Sequence, residues 1–366
     1  MAKSFLSRSD FSALFSALVK AGYEVIGPQE KQSAIVFEPL SDVSALPWGI
    51  RDATAPGQVT LKEAEASRCF RWNSTPQSFK PWLFKPSQTL WQATPVSDGF
   101  RFTQTEPEAT PLAFFGVRSC DIAALYLQDK HFMHGPYADP WYSAQRKQLF
   151  IVAVNCAQAN DTCFCVSTGD GPQALFGYDI VLDELDDGYL IEANSERGTT
   201  LLATLPLHKA TERQREQAAA QLQAASQQSR TMPGPEALLR LADHLDDAQW
   251  LEIAERCLAC GNCTSVCPTC FCAKQESEED IRSGDYAQVR YWDSCFSEKH
   301  GHIAGKNIRG EISQRYRQWV LHKLVTWQSQ YQRSGCVGCG RCVSWCPAAI
   351  DLVDEVNRML GVQVSG

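Results

Sequence analysis

One pattern occurs twice and limits the fold more than any other part of the chain. Residues 257–268 read CLACGNCTSVCP and residues 336–347 read CVGCGRCVSWCP. Both are C-x2-C-x2-C-x3-C-P runs of the bacterial ferredoxin type. Three closely spaced thiolates on one tight turn can each reach a different iron of a single cubane. The glycine after the second cysteine, Gly261 or Gly340, lets the backbone wrap closely. The proline after the fourth cysteine ends the turn and frees that cysteine to face the other cluster. The expected ligand sets are therefore Cys257, Cys260, Cys263 and Cys346 for one [4Fe–4S] cluster, and Cys336, Cys339, Cys342 and Cys267 for the other. Two structural zinc sites are the competing reading, but zinc is usually held by two separated ligand pairs rather than four-cysteine runs with a terminal proline.

The chain carries sixteen cysteines in all. The N-terminal stretch MAKSFLSRSDFSALF has no apolar core followed by a small-residue cleavage site, so no secretory signal is read there. No apolar run approaches the roughly 20 residues that span a bilayer. The expected location is the cytoplasm, where clustered cysteines read as metal ligands or redox groups rather than disulfides. The net charge of −8 argues against a nucleic-acid partner, which needs clustered Lys and Arg.

The expected fold class is α+β, an N-terminal mixed α/β domain followed by an α-helical ferredoxin-type domain with two [4Fe–4S] clusters. Residues 1–210 form the first domain, 211–245 a helical linker and 246–366 the dicluster domain. Phe11, Leu14, Phe15 and Leu18 recur at helical spacing before Gly22. Strands are expected at 23–26, 34–37, 112–117 and 149–154, with a hairpin over 179–192. Asp121 is a candidate cap for a helix starting near Ile122. Ser74–Trp91, rich in proline and aromatics, reads as an extended surface loop and a candidate interface. The long gap between the motifs reads as largely helical, as at Ser313–Gln328, a second candidate interface. Arg309, Arg315, Arg317 and Lys323 read as a solvated face that could also offset cluster charge.

Cys120 and Cys156 each follow an apolar strand, and Cys163 and Cys165 come shortly after. Strand ends in open α/β sheets are where sites form. These four are candidate ligands of a third [4Fe–4S] cluster. Cys270, Cys272 and Cys295 are alternative contributors, and burial as small apolar side chains is the plainer reading for some of them. Cys69 reads as structural. His300 and His302 read as a solvated turn, with metal ligation as the alternative. No G-x-G-x-x-G after a strand and no P-loop lysine motif is present, and the glycine-rich turn at 168–172 is too weak to claim a phosphate. A nicotinamide or flavin site, if the system has one, is expected on another chain.

Several segments together resemble one family: STPQSFKPWLFKPSQTLW, FFGVRSCDIAAL, the NC…CFC stretch, CLACGNCTSVCPTCFC, YWDSC and GCVGCGRCVSWCPAAID. The chain resembles the beta subunits of cytosolic NAD(P)-linked [NiFe] hydrogenases (sulfhydrogenases), and it is similar to the A subunit of anaerobic sulfite reductase. The resemblance implies an electron-transfer subunit, without catalysis of its own, set between a flavin/NAD(P)-binding subunit and the small and large subunits of a [NiFe] hydrogenase. In the sulfite reductase alternative, a siroheme subunit takes the hydrogenase's place. A self-sufficient enzyme with an unusual N-terminal cluster is a further reading.

Overall fold

The computed structural model describes residues 3–362. Its centre is an eight-stranded sheet with the spatial order His208–Lys209, Ser4–Ser7, Gly188–Ala193, Ile180–Glu184, Leu149–Val154, Leu112–Val117, Glu24–Lys31 and Ala34–Pro39. The four strands from Ile180–Glu184 to Glu24–Lys31 run parallel, and the flanking pairs are antiparallel. A parallel sheet covered on both faces needs strands that are apolar throughout. Leu112–Val117 (LAFFGV) and Leu149–Val154 (LFIVAV) meet that need, and every residue in both is buried. The helix Phe11–Lys20 packs Phe11, Leu14, Phe15 and Leu18 inward and stops before Gly22, whose φ is +90°. The expected hairpin forms, with Ile180–Glu184 paired antiparallel to Gly188–Ala193.

The helix Ser119–Phe132 starts directly at the end of Leu112–Val117. Its cap residue is Arg118, with no side-chain cap bond, and not Asp121 as expected. The Asp121 carboxylate is instead committed to an ion pair with Arg341. Thr211 caps the helix Glu212–Ala225 through a capping box with Gln214.

Two expectations fail for the same reason. Ser74–Trp91 is not a surface loop. Ser74, Thr75, Ser78, Phe79, Lys80, Leu83 and Phe84 are buried, Lys80–Leu83 is a helical turn, and Ser87–Val96 is a strand. The gap between the cysteine runs is not mainly helical either. It contributes the strands Ala273–Glu279 and Tyr286–Trp292. These join Ser87–Val96 and Gly99–Gln104 in a four-stranded antiparallel sheet. In both cases the partner that fixes the structure is far away in the chain. The expected helix does form later in the gap, as Ile312–Leu321, a π-helical turn His322–Thr326 and Trp327–Tyr331.

One core gathers around the large sheet and takes in Trp327, Tyr331 and Val337. A second gathers Trp250, Ile253, Tyr316, Trp319, Val353 and Val356 around the cysteine runs and takes in Phe164 from the first half. No helix among the described residues is long and apolar enough to cross a membrane.

Candidate metal centres

Each cysteine run folds the same way. The chain turns through a glycine in the left-handed region, Gly261 at φ +73° or Gly340 at φ +71°. It then makes one short helix, Asn262–Val266 or Arg341–Ser344. The fourth cysteine follows that helix. The Asn262 side-chain amide donates to the Trp345 carbonyl, which ties the second run's fourth cysteine to the first run.

Cys257, Cys260, Cys263 and Cys346 line one small pocket, walled by Leu258, Phe296, Tyr316, Trp319, Ile350 and Leu352. Cys342 of the second run borders the same cavity. The Cys263 thiol is pushed well up, first by burial and then by Cys257, Cys346, Cys260 and Cys267. Cys342 is pushed well up by burial and then by Cys336, Cys339 and Cys267. Cys346 stands with the cysteines of the first run, and Cys267 bears electrostatically on Cys336, Cys339 and Cys342 of the second as well as on Cys263 of the first. Crowded, buried thiols of this kind are costly to ionise unless a cationic core neutralises them. That is the chemistry an iron–sulfur core supplies.

Cys120, Cys156, Cys163 and Cys165 also come together. They line one small pocket, and Cys339 of the second run borders it. Cys120 and Cys156 arrive from the carboxyl ends of two adjacent parallel strands, Leu112–Val117 and Leu149–Val154. Cys163 and Cys165 are held by the second run. The Phe164 N–H donates to the Gly338 carbonyl at 2.9 Å. A Cβ on Gly338 would lie 2.5 Å from the Cys165 backbone, and one on Gly340 would lie 2.2 Å from the Thr162 carbonyl oxygen. Only glycine permits this approach at positive φ.

Arg118 lines this cavity as well. One guanidinium nitrogen donates to the carbonyls of Phe70 and Trp72, and the group lies over the Trp72 ring at 4.4 Å. Its Nε and Nη1 are buried without a partner. Such orphaned, charged donors are rare without an anionic neighbour. They fit a cavity built to hold a thiolate-bound, negatively charged group. The glycine-rich turn at 168–172 closes the same cavity: Cys156 N–H donates to the Pro172 carbonyl at 3.2 Å, and Ser119 Oγ donates to the Asp170 carbonyl at 2.7 Å.

Two buried lysines serve the cysteine runs. Lys80 Nζ donates to the carbonyls of Thr264, Ser265 and Cys267 at 3.1, 2.8 and 3.1 Å, satisfying the free carbonyl end of the first run's short helix. Lys323 Nζ donates to Thr269 Oγ1 at 2.7 Å. Burial pushes the Lys323 pKa down, but Cys267, Cys270 and Cys336 push it up further, so it stays protonated. Of the four basic residues expected on a solvated face, Arg315 and Lys323 are buried, while Arg309 and Arg317 are partly exposed. Lys323 sits in the π-helical turn, a local widening often found at functional sites.

A further group was not read as a site in its own right. Cys272 Sγ and Cys295 Sγ are 3.4 Å apart, and a His300 ring nitrogen completes a set whose ligand atoms all lie within 4.8 Å of one another. The stretch is solvated as expected at Glu298, Lys299 and His302, but the His300 ring is partly buried. Its Nδ1 is 2.6 Å from Asp293 Oδ2. Its pKa is pushed up to about 9, first by its hydrogen bond with Cys272, against the effect of burial, and then by Asp293. Cys69, read as structural, is fully buried among Glu184 and Tyr189.

The fold and these cysteine runs define a protein with a 4Fe-4S dicluster domain, and the family described as "4Fe-4S dicluster domain" matches residues 256–350. The chain is 36% identical over 268 residues to sulfhydrogenase 2 subunit beta of Pyrococcus furiosus, covering 67% of this chain and 74% of that one. The chain belongs to the sulfhydrogenase beta subunit family. It is an iron–sulfur electron-transfer protein of the hydrogenase-subunit type. No solved structure matches it significantly.

Proposed function

We propose that this chain relays single electrons through three [4Fe–4S] clusters, between a flavin/NAD(P)-binding subunit and the small and large subunits of a [NiFe] hydrogenase. A [4Fe–4S] cluster held by four thiolates supplies one-electron redox chemistry. Everything else is done by this chain's own residues. Cys257, Cys260, Cys263 and Cys346 hold the first cluster. Cys336, Cys339, Cys342 and Cys267 hold the second. Cys120, Cys156, Cys163 and Cys165 hold the third, within the domain of residues 1–210, while the pair belongs to the ferredoxin-type domain of residues 246–366, which mixes helices with the strands Ala273–Glu279 and Tyr286–Trp292. Arg118 and Lys323 offset negative charge where water is excluded. The setting is the cytoplasm.

The observation that carries this reading is the order of the three sites. Cys342 borders the first cavity and Cys339 borders the N-terminal one. The second site therefore lies between the other two, a series with no branch. Cys260, the exposed cysteine, marks the first site as the end nearest a partner.

The test is the iron, sulfide, nickel and zinc content of the anaerobically purified native complex. About twelve irons per chain supports three clusters and about eight supports two. Nickel and H2-dependent reduction of the clusters supports the hydrogenase assignment. Siroheme with sulfite-dependent oxidation would place the chain with sulfite reductase instead. A colourless chain with zinc and no sulfide would overturn the relay.

A further inference from the structure

The strands Ala273–Glu279 and Tyr286–Trp292 form a hairpin whose paired ends are Ala273 and Trp292. Cys272 and Cys295 flank that base, and the Asp293 N–H donates to the Cys272 carbonyl at 2.8 Å. The two sulfurs lie 3.4 Å apart, and His300 brings a ring nitrogen into the same 4.8 Å group. Asp293 Oδ2 takes the Nδ1–H of His300 at 2.6 Å, which leaves Nε2, once it gives up its proton, as the nitrogen able to bind a metal. A carboxylate that fixes the tautomer of an imidazole is the usual outer support of a metal-bound histidine.

We infer that Cys272, Cys295 and His300 form a separate site for a single zinc ion, which clips the base of this hairpin beside the first cysteine run. The spacing selects one ion over a cubane. Tetrahedral ligands at about 2.3 Å from one zinc stand about 3.8 Å apart, whereas each thiolate of a cubane binds its own iron and the four are spread around the cluster. Two thiolates and one imidazole are borderline-soft ligands that suit zinc. Cys272 and Asp293 also line a polar cavity with Lys80, Cys270 and Ser294, where water can supply a fourth ligand. Loading releases the protons of the thiols and closes the hairpin's loop, so the clip stabilises the four-stranded sheet without any redox step. The role of this site is independent of the relay.

The test uses the intact complex purified without oxygen. Zinc K-edge X-ray absorption is blind to iron. It should show about one zinc per chain with two sulfurs near 2.3 Å and one nitrogen near 2.0 Å. Cys295→Ser and His300→Ala should each lose that zinc and leave iron and sulfide unchanged. Asp293→Asn should keep the fold and give up zinc to a chelator about 10–100-fold more readily. The site is overturned if the native chain holds no such zinc, if the variants lose iron and sulfide in place of zinc, or if mass analysis of the native chain finds Cys272 and Cys295 joined as a disulfide. The X-ray absorption result on the native complex decides the question even if the variants fail to fold. Iron counts test the relay separately.

Discussion

The Arg341 guanidinium grips the Asp121 carboxylate with two parallel hydrogen bonds of 2.7 and 2.9 Å, and both side chains are almost wholly buried. Nε and Nη2 of Arg341 also reach the carbonyl and hydroxyl of Thr75, each at 3.1 Å. Arg341 belongs to the second cysteine run, Asp121 follows Cys120, and Thr75 lies in the buried proline-rich stretch. This one guanidinium fixes three distant segments around the junction of two sites. Burial opposes its charge, and Asp121 and Cys339 restore it.

Removing one partner strands a buried charge. Asp121→Ala or Arg341→Ala should cost about 3–5 kcal/mol of stability, read in a denaturant titration. Arg341→Lys keeps the charge but loses the fork, and should still be clearly destabilised. An effect below about 1 kcal/mol would show the pair to be dispensable.

The proposed exchange of fourth cysteines has a spectroscopic consequence. Cys346→Ser should disturb the same electron paramagnetic resonance signal as Cys257→Ser. Cys267→Ser should disturb the same signal as Cys336→Ser. If Cys267→Ser instead matches Cys257→Ser, each run holds its own cluster and the exchange is wrong.

At the N-terminal cavity, Cys156→Ser should remove about four irons per chain and leave about eight. The signals of the two clusters on the cysteine runs should persist. Unchanged iron would mean that the four thiols hold no cluster.

Gly340→Ala places a methyl 2.2 Å from the Thr162 carbonyl oxygen at a φ of +71°. Backbone on both sides leaves nothing flexible to yield. The expected loss is at least about 2 kcal/mol, with reduced iron retention, measured by thermal melting and iron assay. Gly22→Ala, at φ +90° but with nothing within 4 Å, should cost only the backbone strain and serves as the control.

Lys323→Gln removes a buried cation that faces Cys267 and Cys336. A cation favours the reduced, more negative state. Its removal should lower the midpoint potential of the second cluster by on the order of 50–100 mV, read in a potentiometric titration. The first cluster should move less. A rise in potential would contradict the assigned role.

What could be read from the sequence was local, and what could not depended on distant partners. The apolar strands Leu112–Val117 and Leu149–Val154 and the stripe of Phe11, Leu14, Phe15 and Leu18 carry their own pattern. The cysteine runs carry their own turn. Lys80 gave no such sign. Its role comes from carbonyls more than 180 residues later. Ala273–Glu279 reads AKQESEE, a poor strand by propensity. It forms because Tyr286–Trp292, itself held on its other side by Ser87–Val96, stands ready to pair. Asp121 looked like a helix cap because capping is a local rule, and Arg341 lies 220 positions away. His300 could have been singled out by its place just after WDSC, beside Asp293.

The four-stranded sheet takes two strands from before residue 105 and two from between the cysteine runs. Recombination therefore cannot trade the two ends of this gene as independent cassettes. A breakpoint anywhere from 105 to 272 would divide that sheet between two parents, and a foreign half would have to supply a matching edge. Descendants of such a chain are expected to inherit both ends together, or to lose both.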